Sequence, residues 1–221
     1  MDEQTRPLQD LQHIKQMMER SSRFTALSSL SGISAGVCGL AGAWIASQKI
    51  DCWQRGDCNF GRPSAESLNG LLNYLLVVAL LTFVTAFLTA FVFTLWRSKK
   101  TGLSLWRTIS LRLIWNIAVP LLAGGLLLMR LIQLGQYGLA APCCLIFYGL
   151  GLVNAGKYTL SEVSYLGYAQ LLLGIASLWA PAYGLYFWAA GFGIFHIVYG
   201  LVMWARYERN LSHPISTTVK A

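Results

Sequence analysis

Charge is scarce in this chain. Only 12% of its 221 residues are charged, about half the share of an ordinary soluble domain. That scarcity, together with apolar runs longer than about 18 residues, excludes a soluble globular domain and points to a lipid bilayer. Acids are scarcer than bases: 9 Asp and Glu stand against 17 Lys and Arg, for a net charge of +8. The positives flank apolar segments, and no arginine run alternates with exposed aromatics. Orientation in a membrane therefore explains the basic excess, and nucleic acid is excluded as a partner. Histidine is rare, with 3 residues. Zinc needs about four donors, and the polar loop that carries two of the cysteines contains no histidine. Neither a metal site nor a cofactor is expected. The chain also lacks internal repeats and low-complexity stretches.

Hydrophobic residues make up 55% of the sequence and the mean hydropathy is +0.51. Six apolar segments stand out, at 24–47, 71–96, 109–133, 138–156, 160–180 and 183–205. Each approaches the ~20 residues that cross a ~30 Å hydrocarbon core as a helix. Unpaired backbone groups are not tolerated in lipid, so the segments are helices rather than strands. The expected fold class is all-α: a polytopic membrane protein of six transmembrane helices. Residues 1–23 are polar, with Leu8, Leu11, Ile14 and Met18 at helical spacing and Pro7 suited to a first turn. They predict an amphipathic helix lying on the membrane surface. Residues 24–206 form the transmembrane domain and 207–221 a short tail.

With the N-terminus inside, thirteen of the 17 Lys and Arg fall on the inner side, the run Arg97-Ser98-Lys99-Lys100 foremost. The positive-inside rule then places both termini in the cytoplasm. The first span is too long, and its leader too polar, for a cleaved signal peptide. Cys52 and Cys58 fall in the first outer loop, where an oxidising compartment such as a bacterial periplasm would join them. Cys38, Cys143 and Cys144 lie in apolar segments and act as small apolar residues. Between the fourth and fifth segments, Thr159-Leu160-Ser161-Glu162 reads as a capping box that starts helix 5 near Leu160.

The stretch Gly32-Ile33-Ser34-Ala35-Gly36 matches the nucleophile elbow of serine hydrolases. An elbow needs a strand, a sharp turn and a helix, whereas this motif lies inside one apolar segment. Steps of three and four along that segment place Thr25, Ser29, Gly32, Gly36, Gly39, Ala43 and Ala46 on one stripe. All are small. Association in lipid depends on close backbone approach, which small residues permit. The stripe predicts that helix 1 packs tightly on another helix, of this chain or of a second copy.

Polar groups inside a membrane are costly and often functional. Asn116 lies roughly 10 Å from the inner end of helix 3, and Gln170 roughly 15 Å along helix 5, at ~1.5 Å per residue. His196 is the one intramembrane histidine and sits at a similar depth, with Tyr199 one turn away. The four could converge on a ligand site in the inner half of the bundle, or serve as interhelical hydrogen-bond glue. None is a carboxylate, so a simple proton-coupled carrier lacks its usual Asp or Glu. Pro120, followed by Gly124 and Gly125, predicts a kink in helix 3. Trp96, Trp106, Trp179, Tyr183 and Trp204 fit interfacial belts.

The leading "QHIKQMMERSSRFTALSSLSGISAG" and the closing "HIVYGLVMWARYER" resemble a family of uncharacterised six-span bacterial integral membrane proteins. The resemblance runs along most of the chain. It implies a multi-pass protein of the bacterial inner membrane and no established activity.

Three functional readings follow. The first is a non-enzymatic accessory, sensory or regulatory protein that acts through helix–helix contact, with the bilayer, a second copy or a membrane protein as partner. The second is a transporter or a small-ligand or lipid binder using Asn116, Gln170, His196 and Tyr199. The third is an intramembrane hydrolase of the rhomboid kind, which would pair Ser31 with His196. Here Ser29-Leu30-Ser31-Gly32 lacks the first glycine of the rhomboid motif and sits on the first helix rather than the fourth.

Overall fold

The computed structural model describes residues 29–56, 65–101 and 111–208. The expected N-terminal surface helix, Thr25, Cys58 and residues 209–221 of the C-terminal tail lie outside the described residues. The described residues are helical, with no strand among them. Helix α1 is Ser29–Arg55, α2 is Ala65–Thr101, α3 is Leu111–Gln133, α4 is Ala140–Gly156 and α5 is Ser161–Leu178. Helix α6 covers 184–208 and changes pitch along its length. It is α-helical at Gly184–Ala189, a π-helix at Ala190–Phe195, α-helical at His196–Met203 and a π-helix again at Trp204–Glu208.

Five helical stretches are long and apolar enough to cross a membrane: Ser29–Arg55, Ser67–Arg97, Leu113–Gln133, Tyr137–Gly156 and Pro181–Arg206. The chain is thus built as a membrane-embedded helical protein. Helix α5 falls outside this set because Glu162 and Gln170 lower its apolar average. Both side chains are buried, at 6% and 0% exposure, so these two polar groups point into the bundle.

Helix α1 runs two turns past the end of the apolar segment at Ser47 and carries Cys52 in its last turns rather than in a loop. Nothing between Gln48 and Arg55 breaks a helix. Gly56 does, at φ 74°, with its N–H on the Trp53 carbonyl at 3.1 Å. This is the left-handed glycine that ends many helices. The Trp53 indole N–H then donates to Ser67 Oγ at 3.2 Å, tying the end of α1 to the start of α2. Helix α3 ends on Gly135, at φ 73°. The Gln136 N–H bonds the Leu131 carbonyl at 2.9 Å and the Gly135 N–H bonds Ile132 at 3.0 Å, the paired closure of a Schellman motif. A 3-10 turn at Tyr137–Leu139 leads into α4, and another at Pro181–Tyr183 leads into α6. Pro120 lies inside α3, which continues through it.

Helices α1, α4, α5 and α6 form the packed centre; α2 lies along α1, and α3 along α4. A buried apolar cluster joins Leu113, Ala155, Val163, Leu166, Tyr199 and Met203, near the start of α3 and α5 and the end of α4. Glycines set the closest approaches. A Cβ on Gly149 would meet the Gly167 carbonyl at 2.8 Å, and one on Gly167 would meet the Gly149 carbonyl at 2.9 Å. The α4 and α5 backbones therefore touch where these two glycines face each other. The outer surfaces of α2 and α3 expose Leu80, Phe83, Phe87, Leu122, Leu126 and Met129, which is where a bilayer would lie.

The capping box does not form. The N-cap of α5 is Leu160 and makes no side-chain cap bond. Thr159 Oγ1 donates instead to the Ala155 carbonyl at 3.0 Å, which the Tyr158 N–H also bonds at 2.9 Å in the turn after α4. Glu162 Oε1 accepts from the Arg206 guanidinium at 2.8 Å, which joins the start of α5 to the end of α6.

Candidate functional site

The small-residue face of α1 lies on α6. Ser29, Gly32, Gly36, Gly39, Ala43 and Ala46 are all buried. A Cβ on Gly36 would sit 2.6 Å from the Gly193 carbonyl oxygen, and one on Gly39 would meet the Phe192 carbonyl at 2.5 Å. From the other side, a Cβ on Gly200 would meet the Ser29 carbonyl at 2.7 Å. From Ser29 to Gly39 the stripe is thereby filled by a helix of the same chain. Ser34 Oγ bonds the Ser31 carbonyl at 3.0 Å within this continuous helix, so no elbow is present.

The polar residues of the interior meet at one carbonyl. Gly191 O accepts from Gln170 Nε2 at 2.8 Å and lies 2.9 Å from His196 Nδ1. A carbonyl only accepts, so in the neutral imidazole Nδ1 carries the hydrogen. Nε2 is then the acceptor, and it receives the Tyr148 hydroxyl at 2.8 Å. One chain of bonds thus runs from α4 through α6 to α5. Gln170 is fully buried, and its Oε1 has no hydrogen-bond partner among the described residues.

The π-helix explains how Gly191 can serve two side chains. His196, five residues on, answers its carbonyl with its ring. The backbone N–H of His196, the i+5 donor of a π-turn, goes to the Gly193 carbonyl. Such π-turns recur at functional sites.

Sequence reading found Gln170 and His196 and missed their link. Tyr148 was the residue overlooked, although a tyrosine in the middle of an apolar span must place its hydroxyl somewhere. Asn116, on α3, does not enter the set of bonds that joins Gln170 to His196. Tyr199 is 8% exposed and belongs to the apolar cluster beside α1. Both ring nitrogens of His196 are engaged by Gly191 and Tyr148, so the histidine is not paired with Ser31.

An aromatic ladder extends from this centre. Phe192 lies 5.1 Å from Tyr148 and 6.1 Å from His196, ring centre to ring centre, and Trp188 lies 5.1 Å from Phe192. Trp188 forms part of the wall of a cavity of about 340 Å³, within the size range of small-molecule sites. Leu72, Leu75 and Ala79 of α2 face Leu128 and Ile132 of α3 across it, and Ala46 and Ile50 of α1 close one side. At its deep end α1 and α2 nearly touch, since a Cβ on Gly42 would overlap the Thr82 side chain. No charged residue lines it. Because α2 rests on α1 and α3 on α4, the cavity lies in the cleft that separates these two outer helices.

No group of three or more His, Cys, Asp or Glu that could hold a metal occurs among the described residues. Cys38, Cys143 and Cys144 are free thiols. Cys143 Sγ lies 3.5 Å from the Gly124 carbonyl, a weak contact between α4 and α3.

These features define a helical membrane-embedded protein with a buried polar centre and an apolar cavity beside it. No protein family, curated protein or solved structure matches the chain.

Proposed function

We propose that this chain is a non-enzymatic membrane protein that takes a small apolar ligand from the bilayer into the cavity between α2 and α3. The observation that carries the reading is that cavity: about 340 Å³, uncharged, and bounded by the two least enclosed helices. The reading favours ligand binding over partner docking because α6 already fills the small-residue stripe of α1 from Ser29 to Gly39. The Tyr148–His196–Gly191–Gln170 chain acts as the brace that holds the cavity wall, through Phe192 and Trp188.

The proposal includes the topology. The chain crosses a bacterial inner membrane six times, with α5 as the sixth span, whose Glu162 and Gln170 side chains face inward. Both termini are cytoplasmic, residues 1–23 lie on the inner surface, and Cys52 pairs with Cys58 outside. Membership of the six-span family is part of the same reading.

A second reading, an accessory or regulatory protein that docks a partner helix, draws on α2. Phe83, Phe87 and Phe91 stack in a row on its outer side, 6.4 Å and 6.2 Å apart.

Native mass spectrometry of protein released gently from its own membrane tests both. A monomer with a reproducible small adduct, lost in the cavity-filling Ala79→Trp variant, supports the first reading. A stoichiometric second polypeptide supports the second. An adduct that Ala79→Trp leaves unchanged overturns the cavity as its site.

A further inference from the structure

The dimensions and charge of the cavity identify what fills it. Its wall on α1 runs from Gly42 to Ile50, and its wall on α2 from Leu72 to Thr82. At ~1.5 Å per residue these are roughly 12 Å and 15 Å along the helix axes. Half of a ~30 Å hydrocarbon core is about 15 Å. The cavity walls are therefore about as long as one leaflet is deep, and Gly42 and Thr82, in close contact, mark one limit of them.

The opposite limit of these walls has a different chemistry. Lys49 Nζ lies 5.2 Å from the centre of the Tyr74 ring. Lys49 precedes Ile50 and Tyr74 precedes Leu75, and both Ile50 and Leu75 line the cavity. A cation thus stands beside the apolar walls, toward the end of α1 and the start of α2. The other described charges of this end of α1 are Asp51 and Arg55, both exposed. Arg55 Nε donates to the Asp51 carbonyl at 3.2 Å. Lys49 is the charge of α1 that stands over α2. An ammonium offers three donors, so a phosphate at headgroup depth can accept from it beside the contacts that Lys49 makes within the chain.

We infer that the cavity holds one acyl chain of an anionic phospholipid, inserted sideways between α2 and α3, with its phosphate at Lys49. Under the orientation proposed above, this lipid comes from the outer leaflet. The inference rests on the cavity being a ligand site, and it adds the ligand's class and polarity.

The test uses the full-length protein in lipid nanodiscs made of phosphatidylglycerol and phosphatidylcholine with matched chains. After transfer to detergent, the retained lipid is counted by native mass spectrometry for the wild type, Lys49→Gln and Ala79→Trp. The wild type should retain one phosphatidylglycerol in preference to phosphatidylcholine. Lys49→Gln should still retain one lipid, with the preference reduced roughly tenfold, the factor that ~1.4 kcal/mol represents. Ala79→Trp should retain none. If Ala79→Trp keeps the lipid, the cavity reading fails and takes this inference with it. If Ala79→Trp loses the lipid while Lys49→Gln keeps the full preference, the cavity stands and the assignment of Lys49 to the phosphate is overturned. Equal retention of both lipids by the wild type overturns the anionic class. Retention of neither by a wild type that binds a neutral isoprenoid replaces the phospholipid altogether.

Discussion

Gly36→Ala is the smallest change that bears on the packing of α1 against α6. The added methyl would stand 2.6 Å from the Gly193 carbonyl oxygen, 2.6 Å from Ile197 Cγ1 and 2.9 Å from the Ile197 nitrogen. Two of these three atoms are backbone, so no rotamer change relieves the contact and α1 must move away from α6. Overpacking of this kind costs about 1–3 kcal/mol. For a chain of this length each kcal/mol shifts Tm by about 2–4 °C, so Gly36→Ala should lower Tm by roughly 2–12 °C. Gly125→Ala is the matched control. A Cβ there meets nothing within 4 Å, and replacing a helical glycine with alanine gains up to about 1 kcal/mol. The two variants make the same chemical change on two helices and should move Tm in opposite directions. Thermal unfolding of both in one detergent is the assay. A Gly36→Ala protein as stable as Gly125→Ala would refute the close α1–α6 contact.

Three further outcomes follow. Tyr148→Phe removes the donor to His196 Nε2 and should lower stability by about 0.6–1.7 kcal/mol, the range of interhelical hydrogen bonds in membranes. Added to a His196→Phe background it should cost nothing more, and full additivity in this double-mutant cycle would sever the pair. Arg206→Ala should cost about 1 kcal/mol, because it leaves the Glu162 carboxylate at 6% exposure without this partner, while the 65% exposure of Arg206 discounts the pair. Glu162→Gln in the same background should restore part of the loss, and no restoration would contradict a charge effect. Alkylation of the unfolded protein should add two more tags after reduction than before, and an unchanged count would remove the Cys52–Cys58 bond from the topology.

Much of the bundle was legible because apolar run length reports helices directly. The segments at 109–133 and 160–180 agree with α3 and α5 to within a few residues. Ends were less legible. Helix α1 outlasts its apolar run because helix propensity continues through polar residues until Gly56, and a hydropathy pattern does not register that. The box at Thr159 failed for a different reason: its hydroxyl turns back to the Ala155 carbonyl of the preceding helix rather than forward to α5. At the polar centre, spacing exposed Gln170 and His196 as costly groups. The atom that unites them is a backbone carbonyl within the π-turn. Glycine-rich Gly191-Phe192-Gly193 hints at irregular backbone without saying which carbonyl meets the side chains.

The π-turn in α6 also sets how this helix tolerates changes in length. A π-turn holds one residue more than the α-turn it replaces. Deleting a single residue within 190–195 would therefore turn this stretch into an ordinary α-turn and leave the segments on either side in the phase they now hold. His196, Tyr199, Gly200 and Met203, all buried, would keep the face they share. The same deletion within the α-helical stretch 196–203 would instead turn everything after it by about 100°. The π-turn can thus lose a residue where the α-helical stretches of α6 cannot.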